Sequence, residues 1–447
     1  MFGRLNCHRR CVVRCLRLSA VMPVASWKKL ALPSLRATRY GLLGAVLGLA
    51  ASTSASYSAA VWAQDARAGD AGAKGAGDTA SGTQIQTALA AVRSVQINGG
   101  NHVEAQAAVK KLNTLDASQL VTVLKAFEGA SPLAKNWLMG VAGAIVRQSD
   151  QLPKDALVAF LNDKSNDSDA RYWTFELLTQ NDGGLRKQWL AEMGDDPSLD
   201  IRYLAVAQKI EQLNEAKGDV AGYRQLLDLA RHPEQLKEIT AKLRDAGEGV
   251  DLARQYGFLM SWQLIGPFDN REEKGFDVVF GPEKDYLARS QEKPAGVYTG
   301  KEGKGCTWIE GTTAADDGLL DVAALYNKEK GAIVYAYAEF TAEEAVPADL
   351  RLGCINANKV WVNGKEISSN KVYHASSSID QYVGKTELKK GLNTILLKVC
   401  QNEQTQAWAQ DWSFQLRVCD ATGKAILAAG RPEAPVKKTD SKESEQK

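Results

Sequence analysis

The stretch Lys359-Val360-Trp361-Val362-Asn363-Gly364-Lys365-Glu366-Ile367 constrains the fold of this 447-residue chain more than any other. Asn-Gly at the centre suits a two-residue type I′ turn, in which both central residues need positive φ, and the flanking apolar residues alternate as a β-ribbon requires. Trp361, Asn363 and Gly364 are therefore read as the structural core of a hairpin. A second turn, Leu388-Lys389-Lys390-Gly391-Leu392-Asn393, feeds the apolar strand from Thr394 to Cys400. Further strands are expected at 262–268, 306–309, 333–340, 350–355, 382–388 and 412–418. In the last of these, Trp412, Phe414, Leu416 and Val418 share one face against Ser413, Gln415 and Arg417. Trp262, Trp361 and Trp412 are expected in the core. The segment from Phe268 through Gly305 reads as loop-rich. Many short strands separated by turn signals, with hardly any helical periodicity, predict an antiparallel β-sandwich over 257–430.

The "V-W-V-N-G-K" hairpin and the "L-K-K-G-L-N-x-I-L-L-K-V" strand together resemble the galactose-binding-like sandwich, a jelly roll. That module is found beside the catalytic domains of β-galactosidase-type enzymes and in carbohydrate-binding proteins. The resemblance covers roughly the C-terminal third and implies a recognition module without naming its ligand. One departure matters: related modules read "S-D-D-G-x-x-V-W-x-N-G" before the hairpin, whereas Ile355-Asn356-Ala357-Asn358-Lys359 stands here. Two carboxylates that could serve a cation are replaced, and no loop offers a clear Ca²⁺ ligand set, so neither cofactor nor metal is expected.

The first 63 residues hold nine Lys or Arg and no acid, so the formal charge of +2 becomes −7 beyond them. With its apolar run Gly41 to Ala51 and small residues at Val61-Trp62-Ala63, this segment reads as an export signal, with translation starting at Met22 and a retained N-terminal anchor as the alternative. The acidic remainder argues against nucleic acid as a partner. Export to the periplasm or the exterior follows, with no membrane span left once the signal is cleaved. Residues 64–82, rich in Ala, Gly, Asp and Thr, read as a flexible linker, and the charged 431–447 as a disordered tail. Cys306, Cys354, Cys400 and Cys419 remain in the mature part, with their pairing open. Were the last two strands a simple hairpin, Cys400 and Cys419 would stand at opposite ends of it, on the order of 20 Å apart and beyond bridging range.

Residues 83–256 change to a helical pattern. Asp116-Ala117-Ser118-Gln119 suggests a capping box ahead of Leu120, Val123, Leu124 and Phe127, and Ser131-Pro132 opens a helix burying Leu138, Val141, Ala142 and Ile145. Three helix starts look alike, at Ser131 to Trp137, Asp167 to Trp173 and Asp196 to Tyr203, with basic residues Lys135, Arg171 and Arg202 in corresponding places. The third resembles the "D-P-S-x-x-I-R-x-x-A" core of a HEAT repeat, which implies a helical array; an irregular bundle is the alternative. The order of linker, helical array and sandwich resembles that of secreted proteins in bacteria of planctomycete type.

No zinc helix, nucleophile elbow, P-loop or dinucleotide fingerprint occurs. Recognition is the better expectation, because sugar sites set aromatic faces against the apolar side of a pyranose and amides or carboxylates against its hydroxyls. The loop after the hairpin offers Asn370, Tyr373, His374, Asp380, Gln381 and Tyr382. The loop from Gln401 to Asp411 offers Asn402, Glu403, Gln404, Trp408 and Asp411. The chain thus reads as a non-catalytic binding protein for a glycan or a cell-envelope protein surface. The alternatives are a structural protein making protein contacts through both regions, and a glycan-active hydrolase whose carboxylate pair the sequence does not display.

Overall fold

A computed structural model describes residues 82–289 and 292–431. Every described residue belongs to one compact unit. The expected signal, its cleavage site, most of the linker and nearly all of the tail lie outside the described residues. Gly82, read as linker, stands at the start of the first helix.

Among the described residues eleven helices come first: α1 (Gly82–Arg93), α2 (His102–Leu112), α3 (Leu120–Lys125), α4 (Pro132–Arg147), α5 (Lys154–Asn162), α6 (Ser168–Thr179), α7 (Gly183–Glu192), α8 (Leu199–Glu215), α9 (Val220–Leu229), α10 (Pro233–Asp245) and α11 (Leu252–Tyr256). Neighbours pack in pairs, α3 with α4, α5 with α6, α7 with α8 and α9 with α10, while α6 touches α8 and α8 touches α10. Leu120, Val123, Leu124, Phe127, Leu138, Val141, Ala142 and Ile145 all face the buried interior. Ser131 Oγ caps α4 by accepting from the Ala134 amide at 3.2 Å. Asp116 does not form the reciprocal box: it accepts from Ser118 N at 2.7 Å, Gln119 turns to Ser118 Oγ at 3.4 Å, and a short 3₁₀ turn precedes α3.

The three corresponding basic residues link successive helix pairs. Lys135 Nζ lies 2.6 Å from Asp167 and 2.8 Å from Asp169, at the next helix start. Arg171 forks onto Asp196 with two 2.7 Å bonds, at the start after that, and both groups are buried. Arg202 instead donates to the backbone carbonyls of Asp196 (2.7 Å) and Leu229 (3.3 Å). A paired, fully hydrogen-bonded charge tolerates burial where a lone one would not.

The strands follow: β1 (Ser261–Asp269), β2 (Tyr298–Thr299), β3 (Gly305–Cys306), β4 (Ile309–Thr312), β5 (Leu320–Asp321), β6 (Ala332–Ala342), β7 (Val346–Cys354), β8 (Ala357–Val362), β9 (Lys365–Asn370), β10 (Tyr382–Leu388), β11 (Gly391–Gln401) and β12 (Ser413–Cys419). One antiparallel sheet runs β4-β1-β6-β11-β8-β9 and a second β10-β7-β12-β5. Val334, Leu397 and Val360 of the first share one core with Leu352, Phe414, Leu416 and Val418 of the second. The β8–β9 turn carries φ of 50° at Asn363 and 81° at Gly364, as an Asn-Gly hairpin needs.

One expectation is corrected, and two points left open by the sequence take definite form. The segment after Phe268 is not merely loop: it contains α12 (Gly281–Arg289), a largely polar helix whose Tyr286 is buried and whose hydroxyl donates to Thr394 O at 3.1 Å. A short helix with so few apolar residues has no stripe to read; its burial comes from the sheet beneath it. Strands β11 and β12 are not a hairpin, because each joins a different sheet, and all four described cysteines are buried and free. The polar phase of β12 is not solvated: Arg417 and Gln415 are buried, and Arg417 Nη1 donates to Tyr256 O at 3.1 Å at the end of the helical region.

The outer face of the six-stranded sheet is covered too. Tyr335, Tyr337, Trp361 and Leu396 pack there under Phe276 and Tyr286. Between them Lys398, fully buried, donates to Phe276 O (2.9 Å), Val278 O (2.7 Å) and Glu283 (3.2 Å), and the Tyr335 hydroxyl donates to the same carboxylate at 2.6 Å. Burial pulls the ammonium pKa down against the opposing pull of Glu283. Lys398→Met leaves Glu283 without its cation, and a loss of about 3–5 kcal/mol is expected in urea denaturation, with the added Glu283→Gln change restoring part of it. A single variant as stable as the parent would mean that the ammonium does not hold this cover.

Candidate functional site

The register places Asp269 opposite Ala332, and Ala332 opposite Gln401, so the end of β1, the start of β6 and the end of β11 meet at one end of the sheet. Asn358, at the start of β8, pairs with Asn370, at the end of β9, on that same end. The chain leaves β1, β9 and β11 there in three loops, and these enclose an open depression of ≈ 920 Å³. The first loop brings Glu272 and Glu273, the second Tyr373 and His374, and the third Asn402 to Gln406 with Trp408.

Gln401 holds the floor. Its buried side chain accepts from Asn356 Nδ2 at 3.0 Å and from Asn402 N at 3.1 Å, and donates to the carbonyls of Ala409 (3.4 Å) and Asp411 (3.2 Å). The third loop is thereby closed on itself, and Trp408 stands on a 3₁₀ turn, Ala407–Ala409, whose Ala409 is buried. The Trp408 side chain is 59% exposed and meets the His374 ring edge-on, centroids 5.1 Å apart at 88°. His374 has φ of 54°, and its Nε2 lies 2.7 Å from Asn402 Oδ1. Because Asn402 Nδ2 donates to Glu273 at 3.1 Å, its Oδ1 is the accepting atom and His374 Nε2 carries the proton. His374 Nδ1 is buried and without a partner.

Tyr373 takes a bond from Asn270 Nδ2 at 3.1 Å, and burial pushes its hydroxyl pKa well up. Glu272 and Glu273 both adopt left-handed φ, 58° and 57°, and the Glu272 amide donates to Glu403 at 2.7 Å. Three carboxylates therefore rim the depression, and no Lys or Arg lines it. Among the described residues no group of three or more His, Cys, Asp or Glu could hold a metal, and no helix is long and apolar enough to cross a membrane.

Of the candidate residues, the structure brings together Tyr373, His374, Asn402 and Trp408, with Glu403 and Gln404. Asn370 lies in β9 and donates to Asn358 (3.0 Å) and Ser368 (2.9 Å). Gln381 takes the Cys354 amide at 3.1 Å, and Tyr382 is paired with Leu352 in β10. Asp411 contributes only its carbonyl to Gln401. Asp380 points elsewhere: it binds Arg417 (2.5 and 2.6 Å) and Arg351 (3.0 Å) on the outer face of the second sheet. Glu272 and Glu273 escaped sequence reasoning. They lie about 130 residues from the Trp408 loop, and the run Asn270-Arg271-Glu272-Glu273 carries no sign of its left-handed backbone.

No family model and no curated protein sequence matches the chain. Among solved structures it is similar to a β-glucosidase from Kluyveromyces marxianus, at 15% identity and a TM-score of 0.17, covering 20% of this chain and 11% of that one. It is also similar to a family 35 carbohydrate binding module from Clostridium thermocellum (13% identity, TM-score 0.15, 19% of this chain and 69% of that one). A β-glucuronidase from an uncultured Clostridium sp. gives 12% identity and a TM-score of 0.20, over 36% of this chain and 28% of that one. Likenesses of this strength carry no activity or ligand to the chain.

Two outcomes are expected. Gln401→Leu strips the third loop of its internal partners, so stability falls by about 1–3 kcal/mol and amide exchange over 402–411 quickens; unchanged exchange would mean that another contact holds the loop. Burial alone would raise the Asp380 pKa, but the hydrogen bond and charge of Arg417, then of Arg351, outweigh it and hold the carboxyl below its usual range. A depressed folded pKa gives stability that is complete above the unfolded value, about 3.9, and lost as pH falls through the folded one. The stability difference between parent and Asp380→Asn should thus be constant at neutral pH and shrink below about pH 4, as read by denaturation at stepped pH.

Proposed function

We propose that the chain is an exported, non-catalytic binding protein whose depression at the end of the six-stranded sheet takes a glycan. The observation that carries this is Trp408, a large aromatic side chain left exposed on a loop whose other contacts are satisfied. An indole held edge-on by His374 offers its face to the apolar side of a pyranose, and Asn402, Gln404 and the three carboxylates accept or donate to hydroxyls around it. The lining carries three carboxylates and no Lys or Arg, and although Glu272 pairs with Lys274 beyond it, this rim disfavours uronic and sulfated sugars, so neutral or amino sugars are the fitting class.

The wider reading has its own supports. Two antiparallel sheets over one core suit a galactose-binding-like sandwich. Paired helices linked by Lys135 and Arg171 to the next helix start suit a HEAT-like scaffold. The basic, acid-free N-terminal segment with its apolar run supports export.

The test is a glycan array probed with purified protein and with Trp408→Ala. Neutral or amino glycans should bind, and the variant should lose about tenfold or more, ~1.4 kcal/mol, with its melting temperature unchanged because the side chain is exposed. An array silent for the parent, or equal binding by the variant, would move the site to a cell-envelope protein partner.

A further inference from the structure

A second cavity, of ≈ 660 Å³, lies where α9, α10 and α11 meet the turn after β12. Its walls carry Arg224, Arg231, Arg254 and Lys424 against only two acids, Asp228 and Asp251. Of the four cations, Arg224 is paired with Glu248, whereas among the described residues Arg231, Arg254 and Lys424 have no carboxylate partner. Arg231 Nη1 donates to the carbonyls of Asp228 and Ala230, both at 2.7 Å, but its Nε is buried with no acceptor. Arg254 Nη1 reaches only the Arg431 carbonyl, at 3.3 Å. Two nearby acids are engaged with backbone: Asp251 takes the Arg254 amide at 2.9 Å, and Asp420 takes the amides of Thr422 (2.8 Å) and Lys424 (3.0 Å); Asp228 meets Arg231 through its carbonyl and forms no ion pair with it.

A shielded guanidinium donor without an acceptor is costly, on the order of 1–3 kcal/mol, and this one sits beside two more unpaired cations. Burial, followed by the neighbouring charge of Arg202, pushes the Arg231 pKa down to about 10, the direction that an incoming anion would reverse. Leu227, Leu236 and Leu427 supply apolar wall between the charges.

We propose that this cavity is a second binding site, for a small organic anion whose carboxylate or phosphate head is held by Arg231 with Arg254 and Lys424 and whose apolar body packs on Leu236 and Leu427. A planar guanidinium matches either head through paired N–H donors, and the volume is that of a small-molecule site. The site is independent of the Trp408 depression and carries the opposite charge.

The full chain is titrated calorimetrically with phenyl phosphate, benzoate and uncharged benzyl alcohol. Saturable binding of phenyl phosphate alone assigns a phosphate head, and of benzoate alone a carboxylate; either supports the site, provided benzyl alcohol does not bind. Affinity should fall about tenfold in Arg231→Gln. In Lys424→Gln, an exposed position where the fold is not at risk, it should fall several-fold and become less sensitive to salt. Absence of saturable binding by either anion, or undiminished binding in both variants, overturns the proposal.

Discussion

The central strands β6 and β11, paired over eleven residues from Ala332 opposite Gln401 to Ala342 opposite Gly391, are buried on both faces, and the rest of the sheet region is arranged to keep them so. A strand with two covered faces cannot show apolar and polar residues in strict alternation. The inner face is covered by the four-stranded sheet and the outer face by α12 and the chain leading into it. Lys398 stands on the outer side, and its ammonium is accommodated because two carbonyls of that covering chain and Glu283 turn towards it. A fully buried Lys is tolerated when its donors are engaged, and here they bind the cover to the strand.

The same pairing fixes where a ligand can be met. Since β1, β6 and β11 end in register, the loops at that end are brought together whatever their sequence distance. Gln401, the last residue of β11, then converts strand order into loop order through its four side-chain bonds. Trp408 is exposed as a consequence: the loop that carries it is satisfied from within, leaving the indole no interior to enter. The His374 backbone, held left-handed, sets its ring where it supports that indole.

The hairpin, the strand series and the helical spacing of Leu120 to Phe127 were legible because each is a local periodicity. The residues gathered at the depression besides Glu272 and Glu273 were legible for a related reason: Tyr373, His374, Asn402, Gln404 and Trp408 stand in polar loops that break the apolar alternation around them. What stayed hidden depends on partners far away in sequence. Arg417 looks like a solvent-facing residue in a strand and is instead covered by the helical region, with Asp380 and Arg351 beside it. Asp380 therefore belongs to the contact between helices and sheet, although its neighbours Tyr373 and His374 belong to the depression. Sheet membership was equally hidden, since a turn such as Lys389 to Asn393 can close a hairpin or carry the chain between sheets. The Asn393 side chain, bonded to Lys389 O, Gly391 O and Phe340 O, stabilises the second outcome.

The charges that remain unpaired are sorted by place. In the helical region the basic residues at corresponding helix starts are taken up by carboxylates or carbonyls of the next turn, and in the sheet region Lys398, Arg351 and Arg417 are likewise matched. Two concavities stand apart: around Trp408 three carboxylates line the hollow, with Glu272 paired to Lys274 outside it, and between α9, α11 and the turn after β12 Arg231, Arg254 and Lys424 have no carboxylate partner among the described residues. Folding alone gives no reason to leave shielded charges unmatched, because matching them with a nearby side chain lowers the desolvation cost. An excess of one sign facing a hollow is what a partner of opposite charge, or one rich in hydroxyls, would complete. The two hollows differ in the sign of their excess charge and share no lining residue.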